Sequence, residues 1–218
     1  MVTDQKVISI QERLKDQAYE EIEELFYFAN EYYGEYLLHL VDDFIETEQI
    51  PEKIASSLIP HFISWAVFCH HLPDTKKTIL EQYLNSPEYK SRRNPRIHRI
   101  ISEWKYASPG FYIINEFYGD RLLVVHDVLR MKERLVAIYN EIYHHPGDHD
   151  LLLGYLLPAG DGTYSPIIDF FHIPVHHKKE AVHRIIDFYN KKADASDLEF
   201  YVHHYPKLLS IVSGALQQ

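Results

Sequence analysis

Residues 111–129 have the sequence FYIINEFYGDRLLVVHDVL, in which Gly119-Asp120 separates two runs of aromatic and β-branched residues. This pattern predicts a β-hairpin, because glycine at the first turn position supplies the positive φ of a type II′ turn. The predicted strands cover residues 111–118 and 121–129. The hairpin opens the one part of the chain that alternates like a sheet, and long helical patterns lie on both sides of it.

Three more strands are predicted between this hairpin and Pro174, at residues 134–142, 151–157 and 163–173. Turn residues follow the first two of these, at 143–148 and 158–162. Five short strands at spacings of roughly 8–12 residues are typical of a small closed barrel. We therefore expect an α+β protein with a helical N-terminal half, a five-stranded antiparallel SH3-like barrel and C-terminal helices.

Helical periodicity dominates the rest of the chain. Predicted helices cover residues 8–46, 51–70, 75–84, 94–104 and 176–192, and a last one starts at Ser196 or Asp197. Gly34 is expected to kink or divide the first helix, and Pro206 to break the last. The expected organisation is a helical domain at 1–107, a small barrel at 108–174 and, at 175–218, C-terminal helices packed on the barrel.

The composition is that of an ordinary globular protein, with 218 residues of which 46% are hydrophobic. The single cysteine, Cys69, excludes an intramolecular disulfide and a cysteine-cluster metal site. No apolar run approaches the roughly 18 residues of a membrane span, and the acidic start lacks the order of a signal peptide. We therefore expect a cytoplasmic protein that has no membrane partner.

The net charge of −10 comes from the first 50 residues, which contain 13 Asp/Glu and 3 Lys/Arg. A whole-chain basic footprint for nucleic acid is absent, so binding of that kind would need a local patch. One such patch exists, at residues 90–99 (KSRRNPRIHR) and Lys105. It either compensates the acidic first helix or contacts a partner. The candidate partner-binding residues are Arg92, Arg93, Arg96, Arg99 and Lys105.

The chain has 15 histidines, and imidazole is a common ligand for zinc, nickel and copper. The candidate metal ligands are His144, His145 and His149, which belong to one predicted turn. The sequence contains no His-Glu-x-x-His motif, so these residues indicate either weak, adventitious binding of a divalent metal or a metal-dependent hydrolase. No other cofactor is expected. A Gly-x-Ser-x-Gly elbow and a Walker lysine are also absent, which makes an enzyme the less favoured reading.

The order of several segments resembles uncharacterised bacterial proteins that often end in a SEC-C zinc-binding motif. The matching segments are Trp65, 78–84 (TILEQYL), 108–114 (SPGFYII), 122–129 (LLVVHDVL), 136–139, 146–148 (PGD) and 156–158 (LLP). The resemblance covers about residues 50–174 and implies a helical front half followed by a small barrel. This chain ends in Gln217-Gln218 without a cysteine-rich tail, so the zinc ligands of that motif have no counterpart here.

These patterns predict a non-enzymatic interaction module that binds a macromolecular partner through the barrel rim and the adjoining basic segment. A protein is the partner expected first. One alternative is an RNA-binding protein that uses the basic patch, and another is a metal-dependent hydrolase that uses the histidine-rich turn.

Overall fold

The computed structural model describes residues 10–92, 94–140, 143–147, 150–192 and 196–217. The helices are α1 (Ile10–Glu48), α2 (Glu52–Phe68), α3 (Ile79–Asn85), α4 (Pro87–Arg92), α5 (Pro95–Glu103), α6 (Val175–Lys192) and α7 (Asp197–Ala215), with a 3₁₀ turn at Trp104–Tyr106. The strands are β1 (Pro109–Phe117), β2 (Leu122–Asp127), β3 (Lys132–Ala137), β4 (Leu151–Pro158), β5 (Tyr164–Pro166) and β6 (Phe171–Ile173).

Side-chain caps set the starts of three helices. Asn94 accepts a hydrogen bond from the Arg96 N–H (3.0 Å), and Ser196 forms a capping box at the start of α7, as predicted. The third cap differs from the prediction, because Thr78 rather than Asp74 or Thr75 forms the capping box of α3. α3 therefore begins later than predicted.

Two expected helix interruptions are absent from the described residues. α1 continues through Gly34, and α7 continues through Pro206. Proline in a helix interior removes one backbone hydrogen bond, at a typical cost of about 3 kcal/mol. Packing of α7 offsets this cost, since Tyr205, Leu208 and Leu209 beside the proline are fully buried.

The predicted barrel is present and closed. Its strand order is β1-β2-β3-β5-β4, and β4 pairs back onto β1 to complete the ring. Gly119 has the positive φ predicted for the β1–β2 turn, but the Tyr118 N–H donates to the Leu122 carbonyl, so three residues rather than two form this turn. One detail of the prediction is wrong: β3 and β5 are parallel, pairing Val136 with Tyr164, so the barrel is mixed rather than wholly antiparallel. The placement of β4 beside β1 is a Greek-key connection, which brings β5 alongside β3 in this direction.

The predicted fifth strand is divided into β5 and β6, and both pair with β4. Between them the chain turns the Phe170 ring into the barrel interior, opposite Gly154 of β4. A Cβ atom built on Gly154 would lie 2.4 Å from the Phe170 ring. Glycine at this position therefore makes the space that Phe170 fills.

Two hydrophobic clusters hold the chain together. The smaller cluster fills the barrel, and includes Tyr112, Val125, Val136 and Phe170. The larger cluster contains residues of α1, α2, the outer faces of β1 and β4, α6 and α7. The helices before and after the barrel thus share one core with the barrel wall. No helix of the described chain has an apolar stretch long enough to cross a membrane.

Adding a side chain inside the filled barrel should lower the stability of the protein. We expect Gly154→Ala to lower the free energy of unfolding by about 1–3 kcal/mol, because the new methyl group displaces the Phe170 ring. Gly34→Ala is the matched control, since its methyl group meets only the Asn30 Oδ1 atom, at 3.6 Å.

This control should raise the free energy of unfolding by up to about 1 kcal/mol, because alanine is favoured over glycine inside a helix. Urea unfolding monitored by circular dichroism measures both variants. Equal stability of Gly154→Ala and the wild type would contradict the packing described for Phe170.

Candidate binding groove

Three adjoining cavities lie along one end of the barrel and the neighbouring helix α5. The mouth cavity has a volume of about 490 Å³, the middle cavity about 410 Å³ and the outer cavity about 470 Å³. Glu103, Pro158 and Tyr164 line both the mouth and middle cavities, while Arg99, Ile100 and Gly160 line both the middle and outer cavities. We call this surface the basic groove, after its lining cations Arg96, Arg99, Arg130, Lys132 and Arg134.

A buried ion pair forms the floor of the mouth cavity. The Asp127 carboxylate accepts hydrogen bonds from the backbone N–H groups of Leu129 (3.2 Å) and Arg130 (3.0 Å), which fixes the turn between β2 and β3. The Arg130 guanidinium donates to the same carboxylate over 2.9 Å. Asp127 is fully buried, and the Arg130 side chain is 8% exposed.

Arg130 also joins the barrel to the C-terminal helices. Its guanidinium donates to the Ser108 hydroxyl and to the Pro109 carbonyl (3.4 Å), and it lies 4.7 Å from the centroid of the Tyr201 ring of α7. Burial alone would lower the pKa of Arg130, but Tyr201 and Asp127 outweigh burial and raise this pKa above its usual value. Arg130 is therefore a fixed charge with structural partners on three sides.

Lys132 and Arg134 are the other cations of the mouth cavity. In the register of β2 and β3, Lys132 lies opposite Asp127 and Arg134 lies opposite Val125. The Asp127 and Val125 side chains are buried and point into the barrel, so both cations occupy inward positions at the open end of β3. The Arg134 guanidinium stacks 4.4 Å from the centroid of the Tyr164 ring. Neither cation forms an ion pair with any residue that the structure describes.

The structure brings the predicted basic segment to this groove. Arg96 and Arg99 on α5 are exposed and line the outer cavity, and Lys105 lies 4.7 Å from the ring centroid of Tyr106, which lines the mouth cavity. Arg92 is the last residue of α4, and Arg93 lies outside the described residues. Arg96 and Arg99 form no ion pair within the described ranges, so these two do not compensate the acidic helix α1 directly.

Sequence reasoning missed Arg130, Lys132 and Arg134 as groove residues. The predicted third strand began at Arg134, whereas β3 begins at Lys132. In the observed register, Lys132 and Arg134 lie on the same inward face of β3 as Val136, and Glu133 lies on the opposite face. Charged residues at inward strand positions were the available signal, because such positions are normally apolar.

The histidine-rich turn lies at the opposite end of the barrel. His144 pairs with Asp169 through its ring Nδ1 atom, whereas the His145 ring stacks on Phe117 with centroids 4.9 Å apart. His149 lies outside the described residues. Within the part of the chain that the structure describes, no group of three or more His, Cys, Asp or Glu side chains is arranged to hold a metal ion. The metal site at His144, His145 and His149 stays a prediction.

Cys69 is buried, as predicted, and its thiol lies 3.2 Å from the Tyr155 hydroxyl. Burial raises the pKa of Cys69 to about 12, which keeps the sulfur protonated near neutral pH. This thiol is a packing group rather than a nucleophile.

His61 makes stability depend on pH. Burial lowers the pKa of its imidazole to about 4, while the nearby Asp169 carboxylate acts in the opposite direction. In the unfolded chain this pKa returns to 6.5, so the unfolded state binds the proton first as the pH falls. His61 therefore contributes a loss of stability between pH 6.5 and about 4. His70 and His172, whose pKa values burial also lowers, add to this loss.

We expect His61→Leu to flatten the pH dependence of unfolding. Between about pH 7.5 and about pH 5, His61 accounts for about 2 kcal/mol of the decline in the free energy of unfolding. Urea titrations at both pH values measure the difference, and His39→Gln, a change at an exposed histidine on α1, is the control. An unchanged decline in His61→Leu would mean that His61 is not buried in its neutral form.

No protein-family model, curated protein or solved structure matches the chain. The resemblance to the SEC-C proteins accordingly stays a prediction from the quoted segments. The barrel and the predicted basic segment meet at the basic groove.

Proposed function

We propose that this protein is a non-enzymatic interaction module that binds an anionic macromolecular partner through the barrel rim and the adjoining basic segment. One observation carries the proposal: five cationic side chains from α5, the β2–β3 turn and β3 line one groove. Four of them, Arg96, Arg99, Lys132 and Arg134, form no ion pair with the described residues.

The charge distribution favours a large partner over a small ion. The groove extends over three cavities, and its cations are spread from the outer cavity to the mouth. The net charge of −10 comes from the first 50 residues, so an anionic partner is repelled by helix α1 and attracted by the cations of the groove. An acidic protein surface satisfies this pattern. We place this binding in the cytoplasm, and the single buried cysteine fits a reducing compartment.

A specific observation supports RNA as the second candidate. Tyr106 is 69% exposed and, like Tyr164, lines the mouth cavity beside the cations. Single-stranded nucleic acids bind surfaces that combine cations with aromatic rings, because bases stack on the rings while cations contact phosphates. The affinity for such a strand would fall steeply with salt concentration.

Charge reversal in the outer cavity tests the proposal. Cross-linking and mass spectrometry of cells that express the tagged protein should identify one specific partner, and we expect Arg96→Glu/Arg99→Glu to reduce its recovery at least about tenfold. Both side chains are exposed, so the variant should keep the wild-type unfolding midpoint.

The matched control is Lys191→Glu/Lys192→Glu, which makes the same change in charge at the exposed end of α6. It should retain the partner. Equal recovery of the partner with both double variants would show that the partner does not bind the basic groove. With a captured RNA, a salt-independent affinity would exclude binding through phosphates.

A further inference from the structure

The mouth cavity differs from the rest of the groove because two of its three cations are held in place. The Asp127 carboxylate, the Ser108 hydroxyl and the Pro109 carbonyl fix Arg130, and the Tyr164 ring supports Arg134 from one side. Lys132, which is exposed, lies two residues from each. A site with positioned charges loses less side-chain entropy on binding than a set of free surface lysines.

Arg134 has an unused donor. Its Nε atom is buried, and no described residue accepts a hydrogen bond from it. A buried donor without an acceptor is unfavourable, so an anion that reached this atom would gain more than a surface contact. The planar guanidinium matches an oxyanion with two adjacent oxygens, such as a phosphate group.

The charge and the size of the mouth cavity fit a phosphate ester. The lining contains three cations and one carboxylate, that of Glu103, while Asp127 beneath it neutralises Arg130. Lys132 and Arg134 then stand against the Glu103 carboxylate, so the lining keeps one net positive charge that attracts an anionic group. The volume of about 490 Å³ lies in the range of small-ligand sites and exceeds the needs of a single inorganic ion.

Aromatic surface beside these cations indicates what the phosphate is attached to. Tyr106 presents an exposed ring at the edge of the cavity, and Lys105 lies near that ring. A planar base that stacks on Tyr106 would place its phosphate toward the inner cations. The cavity thus combines the two contacts that a nucleotide requires.

We infer that the mouth cavity binds one nucleotide, with its phosphate on Lys132 and Arg134 and its base against Tyr106. This inference rests on the proposed function, because the cavity is the inner end of the basic groove. The nucleotide is either a free nucleoside monophosphate or one unit of a single strand, since both offer the same phosphate and base.

Titration calorimetry with two probes tests the inference. Adenosine 5′-monophosphate and an unstructured oligoadenylate are each added to the full chain at constant ionic strength. We expect saturable binding by the wild type and at least about tenfold weaker binding by Arg134→Gln and by Lys132→Gln. Lys132 is exposed, so its replacement tests the site even where Arg134→Gln disturbs the barrel.

The two probes identify the source of the phosphate. Tighter binding of the oligoadenylate assigns the site to a strand, and equal affinity assigns it to a free nucleotide. The absence of saturable binding of both probes by the wild type, or equal affinity in the wild type and Lys132→Gln, overturns the inference.

The control variant is Lys53→Gln, an exposed position near the start of α2 that does not line the mouth cavity, and it should bind both probes as the wild type does. Failure of this inference is separable from failure of the proposed function. A macromolecular partner that depends on Arg96 and Arg99, without nucleotide binding, refutes the nucleotide site alone. Nucleotide binding without any macromolecular partner supports the site and refutes the broader proposal.

Discussion

The buried ion pair between Asp127 and Arg130 links three parts of the fold. It closes the β2–β3 turn, contacts the start of β1 through Ser108 and reaches the Tyr201 ring of α7. Breaking such a pair by removing one partner typically costs about 3–5 kcal/mol, because the remaining charge stays buried and uncompensated. The pair therefore fixes the barrel mouth relative to the helices that surround it.

This arrangement explains how an acidic chain presents a basic groove. Asp127 neutralises the one arginine that is structural, so the neighbouring Lys132 and Arg134 keep their charges available for an anion. Helix α5 adds Arg96 and Arg99 to the same groove, beside the acidic helix α1, whose Leu14 lines the outer cavity. Fold and proposed function thus depend on the same turn.

Local patterns in the sequence predicted much of this fold, but its long-range pairings were out of reach. The positive φ of Gly119 and the cap at Ser196 depend on a few neighbouring residues, and both of these predictions were confirmed. The division between β5 and β6 depends on Phe170 filling the space over Gly154, which lies 16 positions away in the chain. The groove cations Arg130, Lys132 and Arg134 were missed for the same reason, because periodicity cannot reveal which strand end lies near α5.

A double-mutant cycle on Asp127→Asn and Arg130→Met tests directly whether these two residues stabilise the barrel mouth as one coupled pair. Urea unfolding should show that each single variant loses about 3 kcal/mol or more, while the double variant loses at least about 1 kcal/mol less than the two losses combined. That result would establish the pair as one coupled, buried interaction. Additive losses in the double variant would contradict the account, since Asp127 and Arg130 would then stabilise the barrel mouth independently.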